Sequence, residues 1–231
     1  GPKYVFKNAK LRKYFKEVSM HSYWSGADTK KNAENYFSDK YSKYSVAATE
    51  YCQMTDDKNT GVYDLIAKEK NGTNGTSIKY GVAMANTIVD DLTIMNANEW
   101  DWWTACSYGT YTDGLIYLDE DNHENLDFSK RYYCLGNFSK FIKEGAVRVA
   151  CSSGVKNVRS VAFVNEDNTV VTVYVNNNDK KAYTTIDCEG DYAVYTTDRD
   201  NDIAKTDFGK AKKVKVSLPA SSVVTVVYEA K

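Results

Sequence analysis

The chain has 231 residues, which is enough for one large domain or two small ones. Apolar residues make up 42 %, and the 30 basic and 31 acidic residues almost cancel, so a core can form but the basic excess typical of a nucleic-acid-binding protein is missing. No apolar run approaches the roughly 20 residues of a membrane-spanning helix, so we expect neither a nucleic-acid partner nor a membrane.

Residues 1–150 alternate between helical and strand patterns, which favours parallel βαβ units. Ser129 suits the N-cap of the last helix, and Lys143 and Gly145 suit its C-terminal end. The predicted strands are 18–24, 46–50 and 99–105. The predicted helices are 10–17, 29–41, 62–70, 81–95 and 129–143.

After Gly154 the pattern changes to short alternating strands joined by Asn- and Asp-rich turns. We therefore predict an antiparallel β-sandwich domain over 151–231, next to an α/β domain over 1–150. Residues 198–211 are predicted to form one polar loop, whose spaced aspartates lack the Gly and the distal Glu of a calcium loop. The predicted strands are 158–164, 169–176, 182–187, 192–197, 212–218 and 222–228.

The α/β part has too few strands for a closed barrel. It offers three candidate parallel strands, whereas a closed (β/α)8 barrel needs about 250 residues. A three-stranded parallel sheet with two exposed edges is poorly stabilised by itself. Either this part is a small open α/β domain, or it is an incomplete barrel of about three βα units whose other strands lie elsewhere.

Polar side chains collect at the predicted C-terminal ends of the first two strands. Alternation places Glu50 above the small Ala48 on one face of its strand. Ser19, His21 and Tyr23 share a face of the preceding strand, and if both faces line a barrel interior, they lie together. Chemistry in barrel enzymes sits at such strand ends. A carboxylate beside a phenol and an imidazole can be held ionised and aimed by hydrogen bonds.

Tryptophan is concentrated around the third predicted strand. Trp103 points to one face of this strand, and Trp100 and Trp102 point to the other. Indole and phenol rings stack on the flat apolar faces of sugars, and the chain has 19 tyrosines. Each single indole is about as well explained by packing against flanking helices, but the cluster at a strand end favours a sugar-binding platform.

Signatures of other chemistries are missing. The sequence has no Gly-x-Ser-x-Gly elbow, no P-loop and no Gly-x-Gly-x-x-Gly turn. His21 and His123 are its only histidines, and five widely spaced cysteines indicate buried thiols rather than disulfides or a zinc site. Cys52 near His21 is formally a nucleophile candidate, but Glu50 disfavours its thiolate. We therefore expect no metal and no cofactor.

Four motifs and the closing strands follow one another in a specific order. The motifs are Met20-His21-Ser22-Tyr23-Trp24, Ala48-Thr49-Glu50-Tyr51-Cys52, Glu99-Trp100-Asp101-Trp102-Trp103-Thr104-Ala105 with Asp113-Gly114-Leu115-Ile116-Tyr117, and the stretch 133–148. This set resembles the C-terminal part of glycoside hydrolase family 30 over nearly the whole chain. The resemblance implies α/β plus all-β structure: the C-terminal part of a (β/α)8 barrel, followed by an antiparallel β-sandwich.

The resemblance also implies retaining hydrolysis of β-glycosides and a role for each strand end. Glu50 would end the seventh barrel strand as the nucleophile. His21 and Tyr23 would end the sixth strand, with Trp24 beside them, and the cluster Trp100, Trp102 and Trp103 would end the eighth. These six residues are the expected substrate-binding residues.

Retaining hydrolysis needs a second carboxyl about 5–5.5 Å from the nucleophile. The resemblance implies an acid/base Glu after Asn at the end of the fourth barrel strand, which would lie before residue 1. The pair Asn98-Glu99 opens the third predicted strand and the pair Asn165-Glu166 lies in a sandwich turn, so neither fits. Conceivable substitutes on this chain are Asp56, Asp57 and Asp101.

The predicted function is that of the C-terminal portion of a retaining endo-β-glycosidase acting on a plant-type oligo- or polysaccharide. The stretch 113–117 resembles the galactanase-type members of the family more than the glucuronoxylan-cutting ones. This resemblance makes β-1,6-galactan our first expectation, followed by xylan or β-glucan. We expect this chain alone to be inactive and to need an N-terminal barrel fragment, on another chain or removed from this one. The alternatives are a non-catalytic carbohydrate-binding or adaptor protein, and an independent α/β plus sandwich protein.

The expected location, extracellular, rests on the family resemblance alone. No signal peptide is visible at the start of the sequence. Gly1-Pro2 resembles the scar that protease cleavage of an expression tag leaves, so we expect the native N-terminus, with its evidence on compartment, to be missing.

Overall fold

The computed structural model describes residues 7–41, 43–68, 75–119, 121–122 and 124–229. Three sequence predictions lie outside these residues: the Gly1-Pro2 scar, any role of His123, and residues 69–70 of the predicted helix 62–70. Among the described helices, none is both long enough and apolar enough to cross a membrane.

The first part of the chain builds a parallel sheet of three strands in the order β1-β2-β3. Its strands are β1 (Glu17–His21), β2 (Ser45–Glu50) and β3 (Glu99–Trp100). The helices around them are α1 (Ala9–Arg12), α2 (Ala27–Tyr41), α3 (Val62–Lys68) and α4 (Ile78–Thr93). β1 and β2 are each followed by helical chain that returns to the start of the next parallel strand, which is the geometry of βαβ units.

Two of these strands are shorter than their sequence patterns predict. The strand predicted over 18–24 ends at His21, because the chain turns at Trp24, whose φ of 51° lies in the left-handed region. The strand predicted over 99–105 ends at Trp100. Asp101 N and Trp103 N still donate to Ala48 O and Tyr51 O, each within 3 Å. The chain then pairs with a segment further along, where Thr104 N donates to Asp113 O at 2.7 Å.

A second small sheet follows, which the sequence patterns do not predict. Its strands β4 (Cys106–Ser107), β5 (Ile116–Leu118) and β6 (Leu126–Phe128) are two or three residues long. Helix α5 (Lys130–Ser139) comes next, with Ser129 at the predicted N-cap position and its end earlier than the predicted residue 143. The Ser129 hydroxyl donates to Leu115 O at 2.8 Å, so it ties the helix to the small sheet instead of capping it.

The C-terminal part forms one antiparallel sheet of six strands in the order β11-β10-β12-β9-β8-β7. The strands are β7 (Val147–Val149), β8 (Val158–Val164), β9 (Thr169–Asn176), β10 (Ala182–Thr197), β11 (Ala204–Leu218) and β12 (Ser222–Glu229). The predicted fold class, α/β followed by all-β, is confirmed. The boundary at 150/151 stays a prediction, and the sheet itself starts with β7.

The long hairpin β10–β11 differs from the sequence prediction. The predicted strands 182–187 and 192–197 are one strand with a bulge after Asp187, and residues 204–211 of the predicted loop are strand. Residues 182–188 pair only with β11 and fold over the sheet, because Ile186 and Val216 share a buried cluster with Val224 of β12. The folded hairpin gives the sheet its sandwich-like second layer.

The opposite face of the sheet carries the α/β part. Val171 and Val173 of β9 pack against Met84 and Ile88 of α4 and against Phe138 of α5 in one buried cluster. The side chain of Asn137, fully buried on α5, donates to Thr225 Oγ1 at 2.9 Å and accepts from Thr197. Apolar contact and buried hydrogen bonds therefore join the two parts of the chain.

Candidate active site

The candidate site lies at the C-terminal ends of β1 and β2. The register pairs Met20 with Ala48, and a shift between Met20 and His21 then pairs His21 with Glu50. The expectation that Ser19 shares the face of Ala48 is therefore wrong, because Ser19 pairs with Ala47. The irregularity at the strand end nevertheless brings His21 next to Glu50, which regular alternation from this register would not do.

Glu50 contacts two of the residues that the sequence singles out. The Tyr23 hydroxyl donates to Glu50 Oε1 at 3.0 Å, and His21 Nδ1 lies 3.7 Å from the same oxygen. The Glu50 side chain is 32 % exposed, so the carboxylate is reachable from solvent. The rings of His21 and Tyr23 meet edge to face, with centroids 5.9 Å apart. These three side chains form one polar cluster at the strand ends.

Burial determines the protonation of Tyr23 and of the neighbouring Cys52. Burial, with further contributions from Cys52 and Glu50, raises the pKa of Tyr23 well above the ordinary value of a phenol. Tyr23 therefore stays protonated and keeps donating its hydrogen bond to the carboxylate. Burial also raises the pKa of the Cys52 thiol, which argues against Cys52 as a nucleophile.

A buried arginine fixes the segment that follows Glu50 by hydrogen bonds. Arg131 on α5 is fully buried, and its guanidinium donates to Gln53 Oε1 at 3.1 Å and to Gly114 O at 2.9 Å. Gln53 Nε2 in turn donates to Tyr80 O at 2.7 Å. Burial lowers the pKa of Arg131, an effect that the nearby oxygens of Tyr117 and Asp113 partly offset. This network ties the loop after β2 and the loop between β4 and β5 to α5.

A second buried network lies behind the strands. Asp91 on α4 is fully buried and pairs with Lys30 Nζ of α2 at 2.7 Å. Its carboxylate also accepts from Ser22 Oγ at 2.8 Å and from Trp100 Nε1 at 2.9 Å. Ser22 separates His21 from Tyr23 in the chain, so the network fixes the backbone that carries both side chains.

The four tryptophans fall into two groups. Trp24 and Trp103 are 50 % and 54 % exposed. Trp100 and Trp102 pack against the hydrophobic core, and Trp102 Nε1 donates to Asp113 O at 2.6 Å. Trp24 and Trp103 are thus exposed to solvent at the strand ends, whereas Trp100 and Trp102 are partly buried against the core. The peptide bond between Trp103 and Thr104 is cis.

The conceivable substitutes for the missing acid have structural contacts of their own. Asp57 is fully buried and accepts hydrogen bonds from the backbone N–H groups of Trp24 and Asn59. Asp56 accepts from the indole of Trp24. Asp101 is exposed and raises the pKa of the neighbouring Glu99. Within the described residues, no group of three or more His, Cys, Asp or Glu side chains is arranged to hold a metal ion.

The supporting residues Arg131, Gln53 and Asp91 are not singled out by the sequence patterns. Asp91 does carry a signal, because it stands on the inward side of a helix whose other inward positions are buried and mostly hydrophobic. A charge at such a position indicates a buried partner. Arg131 lies at a position of α5 that the sequence pattern leaves polar, and only the contacts show its burial.

Comparison with known proteins gives a consistent result. A family model described as O-Glycosyl hydrolase family 30 matches residues 1–117, and one described as Glycosyl hydrolase family 30 beta sandwich domain matches residues 145–226. A GH30 endoxylanase from Clostridium papyrosolvens is similar, with 20 % identity and a TM-score of 0.75 over 98 % of this chain and 52 % of that one.

Two further solved structures extend this result. A conserved exported protein from Bacteroides fragilis is 25 % identical over 92 % of this chain and 46 % of its own, with a TM-score of 0.75. An endo-β-1,6-glucanase is 17 % identical over 100 % of this chain and 44 % of its own, with a TM-score of 0.63. This chain therefore spans about half the length of the structures that it matches.

Proposed function

The chain belongs to glycoside hydrolase family 30, and from this premise we propose that it is the C-terminal part of a retaining endo-β-glycosidase with Glu50 as its nucleophile. The observation that carries the proposal is the placement of Glu50: a partly exposed carboxylate at a strand end, accepting a 3.0 Å hydrogen bond from Tyr23. Relatives of the chain named as an endoxylanase and an endo-β-1,6-glucanase support the reaction class.

In this proposal Glu50 attacks the anomeric carbon of a β-glycoside. The glycosidic C–O bond breaks as a second carboxyl protonates the leaving oxygen, and a covalent glycosyl-enzyme forms. The second carboxyl then takes a proton from water, which displaces Glu50 and regenerates its carboxylate. Tyr23 orients the attacking carboxylate, and the exposed rings of Trp24 and Trp103 stack on sugar faces.

The second carboxyl and the rest of the barrel would come from a segment outside these residues. In the parallel sheet that the structure describes, β1 and β3 each have one neighbour, so each has an open edge. A groove of about 570 Å³ beside Trp100 of β3 is lined by apolar residues of α4 and α5 and by β7. Parallel sheets are normally covered on both faces and paired at their edges. An N-terminal barrel part, on this chain or another, would pair with these edges.

Replacement of the nucleophile tests this function in the complete protein. Glu50→Gln should lower kcat by about a thousandfold or more, because an amide cannot attack the anomeric carbon. Glu50→Ala is expected to regain turnover when azide is added and to release a glycosyl azide of inverted configuration. The same change at a general acid/base residue would give a glycosyl azide of retained configuration instead. The exposed Glu124→Gln is the matched control. Full activity of Glu50→Gln would exclude Glu50 as the nucleophile.

The substrate and the location belong to the same proposal. The resemblance of the stretch 113–117 to galactanase-type family members supports β-1,6-galactan. The names of the relatives support xylan and β-1,6-glucan, so hydrolysis of these three polymers is the direct comparison. Export from the cell is supported by the relative described as an exported protein. Oligosaccharide binding without hydrolysis by the complete protein would favour the alternative, a non-catalytic carbohydrate-binding protein.

A further inference from the structure

The turn after β1 holds Trp24 in an unusual way for an exposed side chain. Half of the residue is open to solvent, yet hydrogen bonds fix both its backbone and the edge of its ring. Its indole Nε1 donates to Asp56 Oδ1 at 3.1 Å, and its backbone N donates to Asp57 Oδ2 at 3.2 Å. Its carbonyl accepts from Asn59 Nδ2 at 2.9 Å. Half of the residue thus stays open to solvent while the N–H edge of its ring is anchored.

All three partners come from the loop that follows β2, the strand of Glu50. Asp57 and Asn59 also fix the loop itself, because Asn59 N donates to Asp57 Oδ1 at 2.8 Å and Asp57 N donates to Met54 O at 3.1 Å. Asp56 differs from them: it is exposed, and its hydrogen bond goes to the ring of Trp24. A change at Asp56 therefore releases the ring and leaves the loop scaffold in place.

The position of the ring decides which sugar it can meet. The Trp24 ring centroid lies 5.6 Å from that of Tyr23, and the Tyr23 hydroxyl contacts Glu50. Trp24 is thus one ring further from the carboxylate than Tyr23. A sugar stacked on Trp24 is the neighbour of the sugar at Glu50, and only a ligand of two or more units reaches both positions.

We infer that Asp56 is a positioning residue that holds Trp24 as the stacking platform for the sugar unit next to the one bound at Glu50. The inference rests on the proposed function and makes the site selective for β-linked oligosaccharides over single sugars. An exposed aromatic side chain loses rotational freedom when a ligand stacks on it. Because the carboxylate of Asp56 already fixes the indole, most of this loss occurs on folding and not on binding.

The test compares a long and a short ligand in the complete protein. Asp56→Ala should raise KM for a β-linked oligosaccharide about two- to tenfold, with kcat nearly unchanged. The Ki of a monosaccharide iminosugar, which occupies only the position at Glu50, should not change. Asp56→Asn keeps an oxygen acceptor for the indole N–H and should restore most of the affinity. Asp64→Ala, at an exposed carboxylate of the adjacent α3, is the matched control.

A double variant shows whether Asp56 acts through the ring. In a Trp24→Ala background, Asp56→Ala should have no further effect on KM. Equal losses for the oligosaccharide and the iminosugar, or additive losses in the double variant, would overturn the inference.

A readout without ligand separates this inference from the proposed function. Asp56→Ala should add a fast component to the decay of tryptophan fluorescence anisotropy, which Asp56→Asn and Trp24→Phe should not show. An unchanged decay would overturn the anchoring of the ring, whatever the outcome at Glu50. Conversely, full hydrolysis by Glu50→Gln together with the fast component would reject the nucleophile and leave the anchored ring standing.

Discussion

The two parts of the molecule place their charged groups in opposite ways. In the α/β part, Asp91 and Lys30 form a buried ion pair and Arg131 is buried among oxygen acceptors. In the six-stranded sheet, the ion pairs of the hairpin are exposed, as in Lys213 with Asp187. The interior of the sheet is built from valines and from hydroxyl and amide side chains. Burial of charge is costly unless it is paired, so its concentration in one part needs an explanation.

The explanation lies in what the buried charges hold. The strands of the α/β part have 5, 6 and 2 residues, so ladders of backbone hydrogen bonds fix little of the chain around Glu50. Asp91 fixes the turn that carries His21 and Tyr23, and Arg131 fixes the segment after Glu50. In the sheet, β10 alone has 16 residues, paired with β11 on both sides of its bulge, and apolar packing suffices. Polar networks thus preorganise the candidate site, and the sheet supports it from behind.

The largest expected effect on stability is at the joint between the two parts. Asn137→Ala removes a buried amide that bonds Thr197 and Thr225, and the loss of these bonds should lower the free energy of unfolding by about 2–4 kcal/mol. The measurement is denaturant or thermal unfolding of the complete protein. Because α5 is packed on the sheet, we expect one shifted transition and not two.

The matched control for this change is Asn32→Ala on the exposed face of α2. Alanine is the better helix former, so stability should stay equal or rise slightly. A loss below about 1 kcal/mol at Asn137 would contradict the role of its amide as a joint. A split of the transition into two steps would show that the two parts unfold as separate units. The sheet would then not support the site-bearing α/β part.

The next prediction concerns activity and compares a tyrosine of the candidate site with a tyrosine of the six-stranded sheet. Tyr23→Phe removes the donor to Glu50, and the loss of a hydrogen bond to a charged group should lower kcat about 10- to 100-fold. Tyr183→Phe on β10 should leave kcat unchanged. Since both variants keep their rings, thermal unfolding should report folded protein in each case.

The pH profile provides an independent measurement of the same residue. Burial raises the pKa of Tyr23 above its ordinary value of 10.0, so in the folded protein the hydroxyl stays protonated up to at least that pH. The contribution of the protonated Tyr23 to the free energy of unfolding is fully present below about pH 10. It decreases as the pH rises above about 10, because the phenol of the unfolded chain then ionises while that of the folded chain does not. An alkaline limb of activity below pH 10 should therefore be at the same pH in Tyr23→Phe. A shifted limb would show that Tyr23 itself titrates during turnover.

In the six-stranded sheet, the sequence predicts a strand correctly wherever the residues of that strand alone have a strong preference for β structure. Strands 158–164 and 169–176 are confirmed residue for residue, because dense β-branched residues fill both faces there. Residues 204–211, predicted to be a loop, are strand, since this stretch has few β-branched residues and pairs only with the neighbouring β10. Strands β4 to β6 are missed for a related reason: two or three residues carry no period, and tertiary pairing alone makes them strands.

In the candidate site, the rule that functional residues lie at C-terminal strand ends finds the right residues. The alternation of side chains along the strands assigns some of them to the wrong face. Glu50, His21 and Tyr23 are brought together at the C-terminal strand ends, although Ser19 and Ala48 do not share a face. A local register shift decides the outcome, and no pattern in 18–24 encodes it. The supporting contacts are beyond sequence reasoning as well, because Lys30 meets Asp91 and Arg131 meets Gln53 only after the helices pack.

The smallest expected effect tests the surface of the long hairpin, the element that sequence patterns describe least well. Lys215 Nζ of β11 lies 4.3 Å from the ring centroid of Tyr183 on β10, and Tyr183 is 49 % exposed. An exposed cation–π contact is worth about 0.5–1 kcal/mol, so a double-mutant cycle of Tyr183→Leu and Lys215→Met should give a coupling free energy in that range. Activity should be unchanged in all three variants, because the pair lies on the scaffold. Loss of activity without loss of stability would place a functional surface on the hairpin and end the division of the molecule into a site-bearing part and a supporting sheet.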